Sequence, residues 1–381
     1  MGWITAEQAL QRLGTKPQTL YANVSRGRIA AKPDATDPRR SLYSTEDIDR
    51  LASRQHGRRK AETVAAQSIA WGDPVLPTTI STVQDGRLYY RSEDAAMLSR
   101  TADLEAVAGL LWGGKRPRFP IMPGEEIAGL PQAFTVLGRL AASDMPTLGR
   151  GNAVLHADAA RVMGAVSRAL AGSTATELTA HERLARHWHR PEAADIIRRA
   201  LVLLAEHELN ASTFCARVTV STGAPLSAAV LSGLCTLSGP LHGGAAAAMD
   251  DLVDAASRLG PEQAVHLSLR QGRALPCFGH RLYPHGDVRA TELLARFEAP
   301  PLYRELAAIG EALVGERPNI DFALSAMAAA FELPPAAPLI IFTLARSVGW
   351  LAHALEQIET GSLIRPRARY VGPSPLPQRE R

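Results

Sequence analysis

The run "APLIIFTLARSVGWLAHAL", residues 337–355, decides whether this chain is a membrane protein or a helical globule. It is the longest apolar stretch, and Arg346 interrupts it. A membrane span needs roughly 18 or more apolar residues without a charge, so the spacing predicts a buried helix over 338–359 and no membrane association. A guanidinium on so apolar a helix needs an anionic partner, because an unpaired buried charge costs several kcal/mol. No acid stands within one helical turn of Arg346. A ligand carboxylate is one candidate partner; a distant acid, or a side chain snorkelling to solvent, is the alternative.

Around this helix the composition is that of a globular protein. Hydrophobic residues make up 46% and charged residues 21% of 381 residues, which excludes a disordered or low-complexity chain and allows two or three domains. The opening "MGWITAEQALQRLG" lacks a basic segment followed by an apolar one, so no secretion signal is expected. Cys215, Cys235 and Cys277 are too scattered for a zinc motif, and their odd number fits reduced thiols and a cytoplasmic location. Residues 1–60 carry 12 Lys and Arg against 6 Asp and Glu, leaving about −2 for the rest of a chain whose total is +4. The basic excess belongs to the front end alone.

Outward from 337–355 the helical spacing continues over 93–112, 153–171, 192–206, 245–259, 292–297 and 302–314, with a hairpin-like "DGRLYYRS" at 85–92. Strand-like alternation is otherwise scarce, so the expected class is all-α.

The first sixty residues read as a separate module. Thr5 with Gln8, then Thr15 with Gln18, open two short helices stopped by Gly14 and Gly27; "RIAAKPDATDPRRSLYS" fits a two-stranded wing, and Ser44 opens a third helix carrying Ile48 and Leu51. This resembles the MerR/excisionase type of winged helix-turn-helix over residues 1–54, with 55–71 a basic linker. The resemblance implies double-stranded DNA as a partner, with Lys16, Gln18, Thr19, Asn23, Arg26 and Arg28 on or beside the second helix and Arg39 and Arg40 on the wing as contacts. An ordinary solvated face or a protein contact is the alternative.

Four further segments place polar residues in awkward settings. "SGPLHGGA" (238–245) displays His242 between proline and glycines, at an element junction where it serves a ligand or caps the helix from Ala245. "AEHELNAST" (205–213) puts His207 after an apolar run, with Asn210 and Ser212 as turn or capping groups. "PCFGHRLYPHGDVRA" (276–290) leaves His280 and Arg289 on an irregular loop. "RPNIDFALS" (317–325) sets Asp321 between Ile320 and Phe322, where desolvation raises a carboxyl pKa and makes it a better base. Together they describe a site for a multiply anionic substrate undergoing carbon-acid chemistry. Apart from the isolated His353–Glu356 spacing no zinc arrangement is present, so no metal is expected; His181, His187 and His189 are expected at the surface.

At "EHELNAST", "GPLHGG", "FGHRLY…DVRA", "PNIDF" and "RSVGWLAHALEQ…LIRPRARYVGP", in that order, the chain resembles the citrate synthase family from about residue 72 to 373. The resemblance implies a helical homodimer with a large domain at 72–243 and 333–373 and a mobile small domain at 244–332. It implies condensation of acetyl-CoA with oxaloacetate to citrate and CoA, with acetyl-CoA as co-substrate and no cofactor. His242 would stabilise the enol, Asp321 remove the methyl proton and His280 act on the oxaloacetate carbonyl. His207, Arg289 and Arg346 would bind its carboxylates beside Phe342, and Arg365 would be lent by a second subunit. The backbone of Ala274, Leu275, Pro276, Cys277, Phe278 and Gly279 would cradle the CoA adenine. Three positions depart from the family pattern: Ala246 where asparagine is usual, Cys277 for glycine and Ala323 for tyrosine. Propionyl-CoA, as in 2-methylcitrate synthases, is an alternative substrate, and a DNA-binding regulator that uses the fold as a metabolite sensor is an alternative function.

Overall fold

A computed structural model describes residues 2–13, 17–25, 29–34, 37, 40–49, 76–121, 128–172, 175, 177–368 and 372; the side chains of residues 17, 18 and 22 lie outside that set. The chain divides into two units, Met1–Leu76 with Arg367–Arg381, and Pro77–Pro366.

In the first unit, strand β1 (Trp3–Thr5) leads into helices α1 (Ala6–Leu13) and α2 (Pro17–Ser25), followed by β2 (Ala31–Pro33) and β3 (Ser41–Ser44). Thr5 and Gln8 cap α1 reciprocally, backbone N–H to side chain at 3.1 and 3.4 Å. The sheet has three strands rather than the expected two, in the order β1-β3-β2, because Trp3–Thr5 pairs antiparallel with β3. Ala9, Leu13, Leu20, Ile29, Tyr43 and Ile48 form its small core. Thr19 is exposed on α2, whereas the Asn23 amide turns back on the Thr19 carbonyl at 2.9 Å. Arg40 is exposed and pairs with Asp37 at 3.4 Å. Lys16, Arg26, Arg28, Arg39, the Gln18 side chain and the expected linker 55–71 lie outside the described residues.

The second unit opens with hairpin β4 (Ser81–Gln84) and β5 (Arg87–Tyr90), plus the short β6 (Glu93–Asp94). Asp85 and Gly86 both take positive φ, 51° and 72°, the turn that an Asp-Gly pair provides. Helices follow: α3 (Ala95–Thr101), α4 (Leu104–Trp112), α5 (Leu130–Ser143), α6 (Asn152–Ala171), α7 (Ala180–His187), α8 (Ala194–Leu204), α9 (Ala211–Ser221) and α10 (Leu226–Leu237). Then come α11 (Ala245–Leu259), α12 (Pro261–Arg270), α13 (Val288–Leu294), α14 (Pro301–Val314), α15 (Ile320–Ala330) and α16 (Ala337–Thr360).

Three expectations need correction. Residues 93–112 are two helices, not one, because Asp103 caps a new helix with its Oδ1 accepting from Ala106 N at 2.8 Å. The helix expected over 292–297 lies at Val288–Leu294, capped by Asp287. Helices α5, α7, α9, α10, α12 and α15 were not anticipated as such. The unit is nevertheless mostly helical.

Helix α16 is long and apolar enough to cross a membrane by length and composition, but 89% of its apolar window is buried inside the protein. It forms the axis of the main core with α4, α6, α8, α9 and α10. A second apolar cluster draws its buried members only from residues 249–326, on α11, α12, α14, α15 and the segment 275–278.

Candidate active site

The turn 238–244 connects α10 to α11 and presents His242. His242 N and Gly243 N both donate to the Gly239 carbonyl at 2.9 Å. A Cβ on Gly243 would lie 2.2 Å from the Leu237 carbonyl oxygen, and one on Gly244 would lie 2.3 Å from that of Pro240. Close backbone approach, not positive φ, therefore demands the two glycines. Gly244, not His242, is the N-cap residue of α11, so the capping alternative for the histidine is excluded. Its Nε2 is 2.9 Å from Ser212 Oγ, which also donates to Asn210 Oδ1 at 2.8 Å and accepts from Trp350 Nε1 at 3.1 Å. With the hydroxyl proton on Asn210, Nε2–H of His242 donates to Ser212 and Nδ1 of the neutral ring is an acceptor; turning that proton to Nε2 moves the imidazole proton to Nδ1. Burial, reinforced by the Arg346 charge, pushes His242 down to about 4, so the ring is neutral at pH 7.

Asp321 lies in the first turn of α15, where Asn319 Oδ1 accepts from Asp321 N at 3.0 Å and from Phe322 N at 3.4 Å. Asn319 also binds the Gly279 carbonyl through Nδ2 at 3.1 Å, and its own N–H donates to the Cys277 carbonyl at 2.9 Å. The start of α15 is thus tied to the 277–279 loop. Burial pushes Asp321 up to about 6, against the opposing charges of Arg289 and Arg346. His242, Asp321 and Phe342 line one small cavity with Leu237, Gly243, Ala246, Leu324, Pro338 and Leu339.

A second constellation gathers His207, His280, Tyr283 and Arg289. His207 Nε2 is 3.0 Å from Tyr283 OH, and the rings of His207 and His280 meet edge-on at 5.0 Å. Leu282 N donates to His280 Nδ1 at 3.1 Å, so in the neutral ring the proton sits on Nε2 and is available to an acceptor. Burial and the charge of Arg289 push His280 down to about 4, and burial holds His207 far below the ordinary histidine range. Arg289 is already paired: Asp287 takes its Nε at 3.0 Å and Nη2 at 2.8 Å, and both side chains are buried. Asp287 also accepts from Ile320 N at 3.0 Å, joining the arginine to the residue before Asp321.

Arg346 is buried and rests over the Phe342 ring at 4.6 Å, with Nε donating to the Leu204 carbonyl at 3.0 Å. Among the described residues no acid lies within ion-pair distance of it. Its charge acts on Asp321, His242, His280 and His207 alike, which links the two constellations electrostatically.

Other expected residues fall elsewhere. Arg365 is exposed in the segment 362–368, which has no regular secondary structure, and joins neither constellation. In the segment 274–279, Leu275, Cys277 and Phe278 are buried in the second core, Pro276 and Gly279 are half-buried and Ala274 is exposed. Cys277 holds φ at 63°, where a non-glycine residue costs on the order of 1–3 kcal/mol, and its thiol donates to the Ala245 carbonyl at 3.4 Å. The His353–Glu356 spacing belongs to a buried network with Arg217, whose Nη1 lies 3.1 Å from His353 Nδ1 and 2.7 Å from Glu356 Oε2. Among the described residues no cluster of His, Cys, Asp and Glu is arranged to hold a metal. Of the three expected surface histidines, His187 and His189 are exposed, but His181 is half-buried beside Thr179 Oγ1.

Ser212 was foreseen only as a turn or capping group, while Tyr283 and Asp287 were not singled out. The position of Asp287 just before a helix is a capping signal legible in "GDVRA"; the contact of Tyr283 with His207 spans 76 residues and leaves no local trace.

A half-buried carboxyl and a neutral imidazole thus share one cavity on an α-helical scaffold, with two further histidines and two buried arginines nearby. The family model "Citrate synthase, C-terminal domain" matches residues 127–367, and the chain belongs to the citrate synthase family. It is 41% identical over 197 residues to a citrate synthase of Haloferax volcanii, a match covering 48% of this chain and 52% of that one. It is 36% identical over 194 residues to citrate synthase 2 of Bacillus subtilis, covering 48% and 52%. A 2-methylcitrate synthase of Mycobacterium tuberculosis shares 33% over 195 residues, covering 48% and 50%. The chain thus spans about half the length of these relatives. The crystal structure of citrate synthase from Thermotoga maritima superposes with a TM-score of 0.67 at 26% identity, covering 80% of this chain and 95% of that one.

Proposed function

We propose that the chain condenses acetyl-CoA with oxaloacetate and hydrolyses the resulting thioester, giving citrate and CoA. The observation that carries this is the shared cavity of His242 and Asp321. A thioester methyl is a weak acid, so proton removal by Asp321 needs simultaneous stabilisation of the oxygen charge; His242 supplies it through Nδ1–H once the Ser212 hydroxyl turns its proton from Asn210 Oδ1 to Nε2. The new C–C bond forms at the oxaloacetate carbonyl, polarised by Nε2–H of His280, which delivers the proton to the alkoxide. Arg346, His207 and the Nη1 nitrogen that Asp287 leaves on Arg289 hold the carboxylates, and Phe342 packs beside them. Water then cleaves the C–S bond; no electrons are exchanged, so the reaction calls for no redox cofactor.

The backbone of 274–279 is assigned to CoA. The second apolar cluster supports a small domain at 244–332 that closes on the remainder, and exposed Arg365 is assigned to the site of a second copy in a homodimer.

Loss of the thioester absorbance with acetyl-CoA tests the reading. It should require oxaloacetate and fall by about 10³-fold in Asp321→Ala; no oxo acid-dependent loss with any acyl-CoA, in wild type or variant, contradicts it and favours a metabolite sensor.

The apolar lining by Leu237, Ala246, Leu324 and Leu339 favours a second reading, in which propionyl-CoA is used and 2-methylcitrate formed. The ratio of kcat/KM for the two thioesters decides between them. For the first unit we propose duplex DNA binding, supported by its basic excess and by the α1–α2 pair beside an antiparallel sheet. Retention on duplex DNA should fall steeply with salt and vanish on deletion of residues 1–60; retention unchanged by the deletion contradicts it.

A further inference from the structure

Several buried charges here touch a partner of opposite sign, as Arg289 touches Asp287 and Arg217 touches Glu356. Arg346 and Glu206 do not. Glu206 is wholly buried; its Oε1 accepts from Ser81 Oγ at 3.2 Å and lies 3.1 Å from His353 Nε2, while Oε2 has no hydrogen-bond partner. Arg217 Nη1 can only donate to His353 Nδ1, so the imidazole proton sits on Nε2 and is given to Glu206. The carboxylate is therefore oriented by an Arg217–His353 relay.

Helix α16 passes directly against it. A Cβ on Gly349, three residues after Arg346, would lie 2.2 Å from Glu206 Oε2 and 2.5 Å from the Ala205 carbonyl oxygen. Arg346 Nε is anchored two residues before Glu206, at the Leu204 carbonyl. Burial pushes the guanidinium down, and Glu206 is the foremost charge that opposes this.

We infer that Glu206 is a positioning residue for Arg346: a counter-charge held outside ion-pair distance, which offsets the cost of burying the guanidinium in the empty site and leaves its terminal nitrogens for a substrate carboxylate. This rests on the assignment of Arg346 to the carboxylates of oxaloacetate. An incoming carboxylate competes with Glu206 for the same positive charge, so Glu206 favours the folded empty site and weakens the bound one.

Thermal unfolding and calorimetric titration with oxaloacetate, on the full chain, test this. Glu206→Gln, which removes charge and keeps shape, should lower Tm and bind oxaloacetate more tightly, on the order of fivefold. Glu206→Asp, which keeps the charge, should stay within about twofold of wild type in affinity. The double variant Glu206→Gln/Arg346→Gln should recover much of the Tm lost in Glu206→Gln, because both uncompensated charges are gone. A purely structural Glu206 predicts weaker binding in Glu206→Gln and additive losses in the double variant, and either result overturns the inference. If Glu206→Gln does not fold, recovery of folding in the double variant supports the counter-charge and its failure refutes it. A wild type that binds no oxaloacetate refutes the functional assignment and with it the competition with substrate; the Tm cycle then decides the counter-charge by itself.

Discussion

Replacing Asp321 by asparagine should abolish turnover and yet stabilise the protein, and the pH dependence of that gain is calculable. Burial raises the carboxyl from its ordinary 3.8 to about 6. Between these values the unfolded chain has released the proton while the native state still holds it, so stability falls as pH rises through the window and stays low above it. A displacement of about two pH units, at roughly 1.4 kcal/mol each, amounts to about 3 kcal/mol of native-state cost in the ionised form. Asp321→Asn removes the cost. At pH 8 it should be more stable than wild type by up to about 3 kcal/mol, or roughly 5 °C in Tm, and the gain should vanish near pH 3.5. In wild type, the same ionisation should give log kcat/KM an acid limb with a midpoint near 6. Differential scanning calorimetry at both pH values, with rates between pH 4.5 and 8, checks this. An Asn variant equally displaced at pH 8 and pH 3.5, or a wild-type profile flat through pH 5, would refute the assignment of a desolvated base.

Asp287→Asn should be strongly destabilising, by about 3–5 kcal/mol, because it leaves Arg289 charged and buried without its bidentate partner; a Tm within 2 °C or so of wild type would contradict this. Ser212→Ala strips a hydrogen-bond partner from both His242 and the buried Trp350 Nε1, so kcat should drop about tenfold with the KM for oxaloacetate little changed, alongside a loss of about 1–3 kcal/mol in stability. An unchanged kcat would show that the serine does not set the imidazole.

Local chemistry explains what the sequence made legible. Arg346 stands out because it alone breaks a long apolar run, and His242 because proline and glycines surround it; His242 lines the cavity with Asp321, and Arg346 rests over Phe342. Helix α11 begins and ends where "GGAAAA" and "RLG" imply. Asp321 was recognisable from its apolar flanks, and burial does raise it. The partners of these residues were less legible, because they are joined by long-range contacts: Glu206 meets His353 across 147 residues, and Arg346 meets Leu204 across 142. Arg289, expected to be free for substrate, already spends its fork on Asp287 two residues earlier, a local pair whose significance depends on both being buried. The single helix expected over 93–112 overlooked the capping role of Asp103. Helix α7 is announced by the Thr179–Glu182 capping box but is too short for its apolar spacing to stand out.

The most direct measurement of the central claim uses acetyl-CoA trideuterated in its methyl group, with oxaloacetate, and mass analysis of the product. Condensation through Asp321 requires a six-carbon tricarboxylate that keeps two of the three deuterons. Free acetate carrying all three, with oxaloacetate unconsumed, would show simple thioester hydrolysis and contradict the account.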